Sequence, residues 1–152
     1  MALSTANIDT ILKRNDVTKG TFLGTYPACM QPISKKKTYA FVTNTDDHTS
    51  GGTHWNAWYV ESGYLSFFDS FGRSWDDADF PMYYRDLGAQ FRDIEHSQVQ
   101  IQGFDSWTCG HFCINYIYTL CLGMNYQDFL DNYSRDYVKN DLFVLNFINS
   151  II

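Results

Sequence analysis

Four cysteines and four histidines are the side chains in this 152-residue sequence best suited to nucleophilic and general-base chemistry near neutral pH. A thiol attacks a carbonyl only as the thiolate, a form favoured by a helix N-terminus and by a neighbouring imidazolium. Cys109 sits where both can act. It follows the irregular stretch Gly103-Phe104-Asp105-Ser106-Trp107-Thr108 and opens a run in which Phe112, Tyr116, Ile117 and Leu120 recur at helical spacing. Gly110 beside it permits close backbone approach, and the unpaired N–H groups of a first helical turn can stabilise an oxyanion. Cys113 and Cys121 fall on the same run and read as small core hydrophobes, while Cys29, between Pro27 and Pro32, has no activating neighbour in the sequence.

His54 follows Gly51-Gly52-Thr53 and opens a β-prone aromatic run, a position from which a base can face a cleft. His48, in a polar loop, and His96, near a strand start, read as solvated. His111 is two residues from Cys109 and so points to another side of the helix. An imidazole base needs its second nitrogen held by an acceptor. Asp69 is placed for this, ending the run 64–68 just before Ser70-Phe71-Gly72. Asp76, Asp77 and Asp79 cluster in a loop and read as solvated. A zinc site built from Cys109, Cys113 and His111 fits no standard ligand spacing, so no metal is expected.

The elements that must position these groups follow from local patterns. Ile8, Ile11 and Leu12 predict a helix over 7–13, with Ser4 or Thr5 as its cap. Runs at 39–43, 54–60 and 64–68 read as neighbouring antiparallel strands, the last two joined by the turn Glu61-Ser62-Gly63. Val99 and Ile101 predict another strand over 98–102. A helix runs from Cys109 to a stop at Gly123, followed by helices over 125–132 and 137–152. Strands bracketed by helices without regular alternation indicate an α+β fold. With no repeat and no linker, residues 1–152 form a single domain.

Composition narrows the function classes. A net charge of -6 and a pI near 4.9 disfavour a nucleic-acid grip, and Lys35-Lys36-Lys37 reads as a solvated turn. The sequence shows no secretory-signal pattern and no apolar run of membrane-spanning length, so the expectation is a soluble intracellular chain with no membrane partner and reduced cysteines. The aromatic content of 18% supplies large buried areas to a small core.

The segments Gly51-Gly52-Thr53-His54-Trp55, Phe68-Asp69-Ser70-Phe71-Gly72, Gln102-Gly103 and Cys109-Gly110-His111-Phe112-Cys113 occur in this order. Together with Phe22-Leu23-Gly24-Thr25-Tyr26 and Val42-Thr43-Asn44-Thr45, they resemble adenain, the adenovirus maturation cysteine protease family, over about residues 7–121. The resemblance implies a mixed or antiparallel central sheet packed by helices, with the nucleophile at the N-terminus of a buried helix. It implies that Cys109 attacks a scissile carbonyl, His54 protonates the leaving amine and Asp69 orients His54. It also implies that the Gln102 side-chain amide donates to the oxyanion and that Trp55 is the aromatic neighbour of the base.

By the same resemblance, the substrates are proteins with Gly-rich junctions, such as capsid or core precursors, and the chain acts as a monomer in virions and in the host nucleus or cytoplasm. The family is related to proteases that remove ubiquitin-like proteins, and Asp69, where adenain-like enzymes often have Glu, is similar to the SUMO-type members. Adenovirus enzymes tether an activating peptide through a Cys ahead of the Gln, but residues 89–94 contain none, and the acidic charge argues against DNA as a cofactor. No cofactor is therefore expected. The last 30 or so residues match poorly and read as a reduced helical lobe. Two other readings fit the same residues: a deubiquitinating or deSUMOylating protease, and a catalytically silent module that holds a Gly-rich peptide.

Overall fold

A computed structural model describes residues 2–45 and 54–152. His48 and the Gly51-Gly52-Thr53 segment lie outside the described residues. Helix α1 (Thr5–Arg14) begins with a reciprocal cap, in which the Asn7 N–H donates to Ser4 Oγ at 3.1 Å and the Ser4 N–H donates to Asn7 Oδ1 at 2.9 Å. Five strands follow: β1 (Phe22–Pro27), β2 (Thr38–Asn44), β3 (Trp55–Glu61), β4 (Tyr64–Phe68) and β5 (Asp93–His96). They lie in sequence order in one mixed sheet. The central β2–β3 and β3–β4 pairs are antiparallel, and the outer β1–β2 and β4–β5 pairs are parallel. Helix α2 (Met82–Gly88) lies between β4 and β5, and α3 (Cys109–Cys121), α4 (Tyr126–Leu130) and α5 (Tyr137–Ile151) complete the fold. The chain is thus α+β with helices packed on a mixed sheet.

Both sheet faces are covered, which explains why the β3 sequence reads as a nearly continuous aromatic and apolar run. Ala57, Tyr59 and Phe68 face α3, where Phe112, Tyr116 and Ile117 meet Phe129 of α4 and Val144 and Ile148 of α5. Phe41, Trp58, Leu65 and Phe67 face the other way and pack with Phe80, Tyr84 and Leu87 around α2. The β3–β4 hairpin turns through Ser62 and Gly63, both at positive φ (52° and 82°), the backbone that a tight two-residue connection with native twist requires.

Three expectations are corrected. Residues 98–102 are not a strand. Val99 is 47% exposed and Ile101 is buried, and the segment is held by separate bonds, with the Ile101 N–H on the Ser70 carbonyl at 2.9 Å. The edge strand beside β4 is β5, earlier in the chain, where Asp93 and His96 frame a stretch too polar to show a period of two. Strand β1 and helix α2 were not expected from periodicity; β1 carries a break in register around Gly24, and α2 is only two turns long. His54 immediately precedes β3 rather than starting it, and His96 ends β5, half-buried, with Nδ1 2.9 Å from the Ser97 carbonyl oxygen. Among the described residues, no helix is long and apolar enough to cross a membrane.

Candidate active site

The N-terminus of α3 carries Cys109, which is 6% exposed. Its seat is fixed from two sides. Thr108, the preceding residue, donates its hydroxyl to Asp141 of α5 at 2.7 Å, and a Cβ on Gly110 would stand 3.2 Å from both Ile8 of α1 and Trp55 of β3. Three elements therefore converge on the first turn of α3, and glycine is what lets them approach.

His54 reaches Cys109 from the residue immediately before β3 and is hydrogen-bonded to its thiol. Its Nε2 lies 2.5 Å from Asp69 Oδ1, which leaves Nδ1 as the ring nitrogen available to sulfur. The register explains this closeness: β3 and β4 are antiparallel neighbours with Ala57 opposite Phe68, so the residue before one strand and the residue after the other meet at the same sheet edge.

Asp69 is fully buried, and both carboxylate oxygens are occupied. Oδ1 also accepts from Asn56 Nδ2 at 2.9 Å, and Oδ2 accepts from the Arg73 backbone N–H at 3.1 Å and its Nε at 2.9 Å. Behind it runs a buried chain in which the Tyr84 hydroxyl donates to Asn56 Oδ1 at 2.8 Å and lies 2.7 Å from the Thr43 hydroxyl, which also accepts from Trp58 Nε1 at 2.9 Å. Such a fully partnered network holds the carboxylate in one orientation.

The charges follow from these contacts. Burial pushes the His54 pKa down, but the hydrogen bonds to Asp69 and Cys109 and their negative charges outweigh it, raising it from 6.5 to about 9. Burial pushes Asp69 up, yet His54 and Arg73 hold it below the ordinary carboxylate value. His54 is therefore an imidazolium, and Asp69 a carboxylate, at neutral pH.

Gln102 is buried beside this group. Its Oε1 accepts from the Ser70 hydroxyl at 2.5 Å and its Nε2 donates to the Ser106 carbonyl at 3.0 Å, leaving the second Nε2 hydrogen for the cleft. The cleft has a volume of about 270 Å³, and its lining includes His54, Cys109, Gln102, Trp55, Phe104 and Trp107. All four residues singled out from the sequence thus meet in one place. A thiol, an imidazole held by a buried carboxylate and the Gln102 amide lie together at one cleft.

No family model and no curated protein matches the sequence. Solved structures do match. The ASFV pS273R protease superposes with a TM-score of 0.59 at 18% identity over 94% of this chain, and the SUMO protease Ulp1 with 0.50 at 15% identity over 98%. The fold is the one these two proteases share. This chain spans 66% of the ASFV protein, just under two thirds, and 78% of Ulp1.

Several residues around this site gave little signal in the sequence. Asn56 is a polar side chain inside an otherwise buried aromatic strand, a signal that it must have a buried partner. Arg73 lies four residues after Asp69, which in a turn gave no cue to pairing. Phe71, not Trp55, is the ring stacked on His54, at 4.8 Å between centroids and 12° between planes, and it also lies under the Arg73 guanidinium. Trp55 lines the cleft instead, because its side chain points toward α3 with Ala57 and Tyr59.

His111 points away from the site, as expected, and is buried. Burial lowers its pKa to about 4, and its Nδ1 has no hydrogen-bond partner among the described residues. Cys113 is buried, and its thiol is pushed well above its ordinary value by burial. No group of three or more potential metal ligands occurs among the described residues.

Proposed function

We propose that this chain is an adenain-like cysteine endopeptidase in which Cys109 is the nucleophile, His54 the acid–base, Asp69 its orienting carboxylate and Gln102 an oxyanion donor. The observation that carries the proposal is the position of His54, hydrogen-bonded on one side to a fully buried, fully partnered Asp69 and on the other to Cys109 at the head of α3.

In this mechanism the His54 imidazolium and Cys109 thiolate form an ion pair. Sulfur attacks the scissile carbonyl carbon, and the carbonyl oxygen becomes an oxyanion held by the Cys109 backbone N–H and the free Gln102 Nε2 hydrogen. As the intermediate collapses, the C–N bond breaks and His54 gives its proton to the leaving amine, leaving a thioester on Cys109. Neutral His54 then takes a proton from water, whose oxygen attacks the thioester, and sulfur departs as thiolate beside imidazolium again.

The substrates in this reading are protein chains with Gly-containing junctions, such as virion precursors, and the enzyme acts as a monomer without a metal, DNA or tethered peptide. The test is turnover of a fluorogenic peptide ending in Leu-x-Gly-Gly, with and without DNA. Turnover by the wild type and its absence in Cys109→Ala supports the proposal; equal turnover by both overturns it. The likeness to a SUMO protease favours a second reading, removal of ubiquitin-like tails. Cleavage of a ubiquitin-like fusion but not of the Gly-junction peptide would select it.

A further inference from the structure

Beyond His54 the wall of the cleft continues as a row of rings. Phe71 lies on the imidazole, and Phe104 meets Phe71 at 4.9 Å between centroids and 38° between planes. Phe71 is half-buried, whereas Phe104 is 78% exposed, more than any other aromatic side chain among the described residues. Its loop is nevertheless fixed. The Ser106 N–H donates to the Gly103 carbonyl at 3.1 Å, and the Gln100 side-chain amide donates to the Gln102 carbonyl at 2.8 Å. The Gln102 amide closes the same loop through the Ser106 carbonyl. A ring held this way in water keeps its apolar surface ready for a partner's side chain, at little cost in ordering.

We propose that Phe71 and Phe104 form the subsite for the residue that follows the scissile bond, and that this residue carries a large apolar side chain. The proposal rests on the reading of Cys109 as nucleophile and His54 as acid, because that reading fixes the direction of the bound chain. The scissile carbon stands at sulfur, its oxygen turns toward Gln102 and the Cys109 N–H, and the leaving nitrogen faces His54. The chain on the leaving side therefore departs past His54, where the adjoining apolar surface is Phe71 with Phe104. The two other rings at the cleft belong to the α3 side of Cys109: Trp55 stands against Gly110, and Trp107 meets His111 at 5.8 Å.

The character of the side chain follows from what surrounds the two rings. Arg73, 5.5 Å from the Phe71 centroid, already has Asp69 as its ion partner, so its charge is matched and does not call for an acidic side chain. Asp105, exposed beside Phe104, repels one. A leucine or aromatic side chain instead gains offset or edge contact with the exposed Phe104 ring. The subsite thus adds a requirement that a Gly-containing junction alone does not set: the residue after the cut is large and apolar.

The experiment measures, by amide NMR titration, the affinity of the Cys109→Ala chain for peptides Leu-Ala-Gly-Gly-X-Ser-Lys, with X as Phe, Leu, Ala or Asp. Turnover of the same peptides by the wild type is followed in parallel. Peptides with Phe or Leu should bind roughly tenfold tighter than the Ala peptide, from the extra apolar area covered, and the Asp peptide should bind weakest. Adding Phe104→Ala to the same background should bring the ratio of Phe to Ala affinities close to one, and Phe104→Tyr, which keeps the ring, should retain it. A ratio taken within one variant cancels any loss of folded protein.

Equal affinity for the Phe and Ala peptides, a ratio that survives Phe104→Ala, or no measurable binding at millimolar peptide would each overturn the proposal. So would a Phe104→Ala effect that emerges only when the Leu ahead of the glycines is varied, because that places the ring on the acyl side of the bond. Failure of the protease reading has a different signature. A wild type that cuts none of the peptides, while Cys109→Ala keeps the preference at X, would overturn the catalytic reading alone and still support the subsite.

Discussion

The geometry around His54 makes its proton the quantity to follow. Its pKa is raised from 6.5 to about 9 in the folded chain, so the charged ring is stabilised by folding. That contribution is fully present below 6.5 and is lost as pH rises through about 9. In the proposed mechanism the leaving amine takes its proton from this ring, so kcat/KM for the Gly-junction peptide should fall along an alkaline limb near pH 9. Asp69→Asn removes one of the two partners that raise the value, so it should move this limb to lower pH and lower kcat on the order of 10²- to 10⁴-fold. A pH–rate profile of both forms checks this, and an unmoved limb would remove Asp69 from the mechanism. Arg73 acts one contact further out. Replacing it by Ala leaves Oδ2 of a fully buried carboxylate with one donor fewer, and kcat should drop roughly tenfold while KM changes little.

The elements hold these residues through a few turns where the backbone has no alternative. Gly72 closes the turn after Asp69 at φ 82°, and a Cβ there would stand 2.8 Å from the Gln100 nitrogen and the Val99 carbonyl carbon, atoms of the segment that carries Gln102. Gly72→Ala combines left-handed strain with a backbone clash and should destabilise the fold by about 2–4 kcal/mol. Gly63 has the same φ but open space around its missing Cβ, so Gly63→Ala should cost only about 1 kcal/mol. Urea titrations of the two variants compare them directly, and equal losses would show that the contact with residues 99 and 100 does not matter. The same turn delivers three functions within five residues: Asp69 holds His54, Ser70 holds Gln102 and Phe71 stacks on the imidazole.

For the whole molecule, stability rests on two aromatic cores divided by one sheet. Phe129 bridges α4 to Phe68 and Tyr116 on the α3 side and is fully buried, so Phe129→Ala should cost about 3–5 kcal/mol. Acid sensitivity follows from His111, whose pKa is lowered from 6.5 to about 4 by burial. Between these values the unfolded chain binds the proton and the folded chain does not, so stability falls as pH drops from about 6.5 toward 4. Thermal melts across that range should show a shallower loss for His111→Phe than for the wild type; parallel curves would assign the acid transition elsewhere.

The sequence by itself determined what depends on local chemistry and short-range pattern. Hydrophobic periodicity after Cys109 marked α3, the caps and glycines bounded α1 and α3, and the positions of His54 and Asp69 at the ends of adjacent β-prone runs marked them as a pair. Tertiary structure decided what depends on partners distant in the chain. Asn56 and Tyr84 support Asp69 from 13 and 15 residues away, and neither position is special until the β3–β4 register and the α2 crossover bring them together. The short β5 and α2 are specified by burial against the sheet rather than by their own periodicity, so their sequences carry little signal. Whether an aromatic side chain touches the base or lines the cleft depends on which way a strand end or a turn points it. That direction placed Phe71 on His54 and turned Trp55 toward α3.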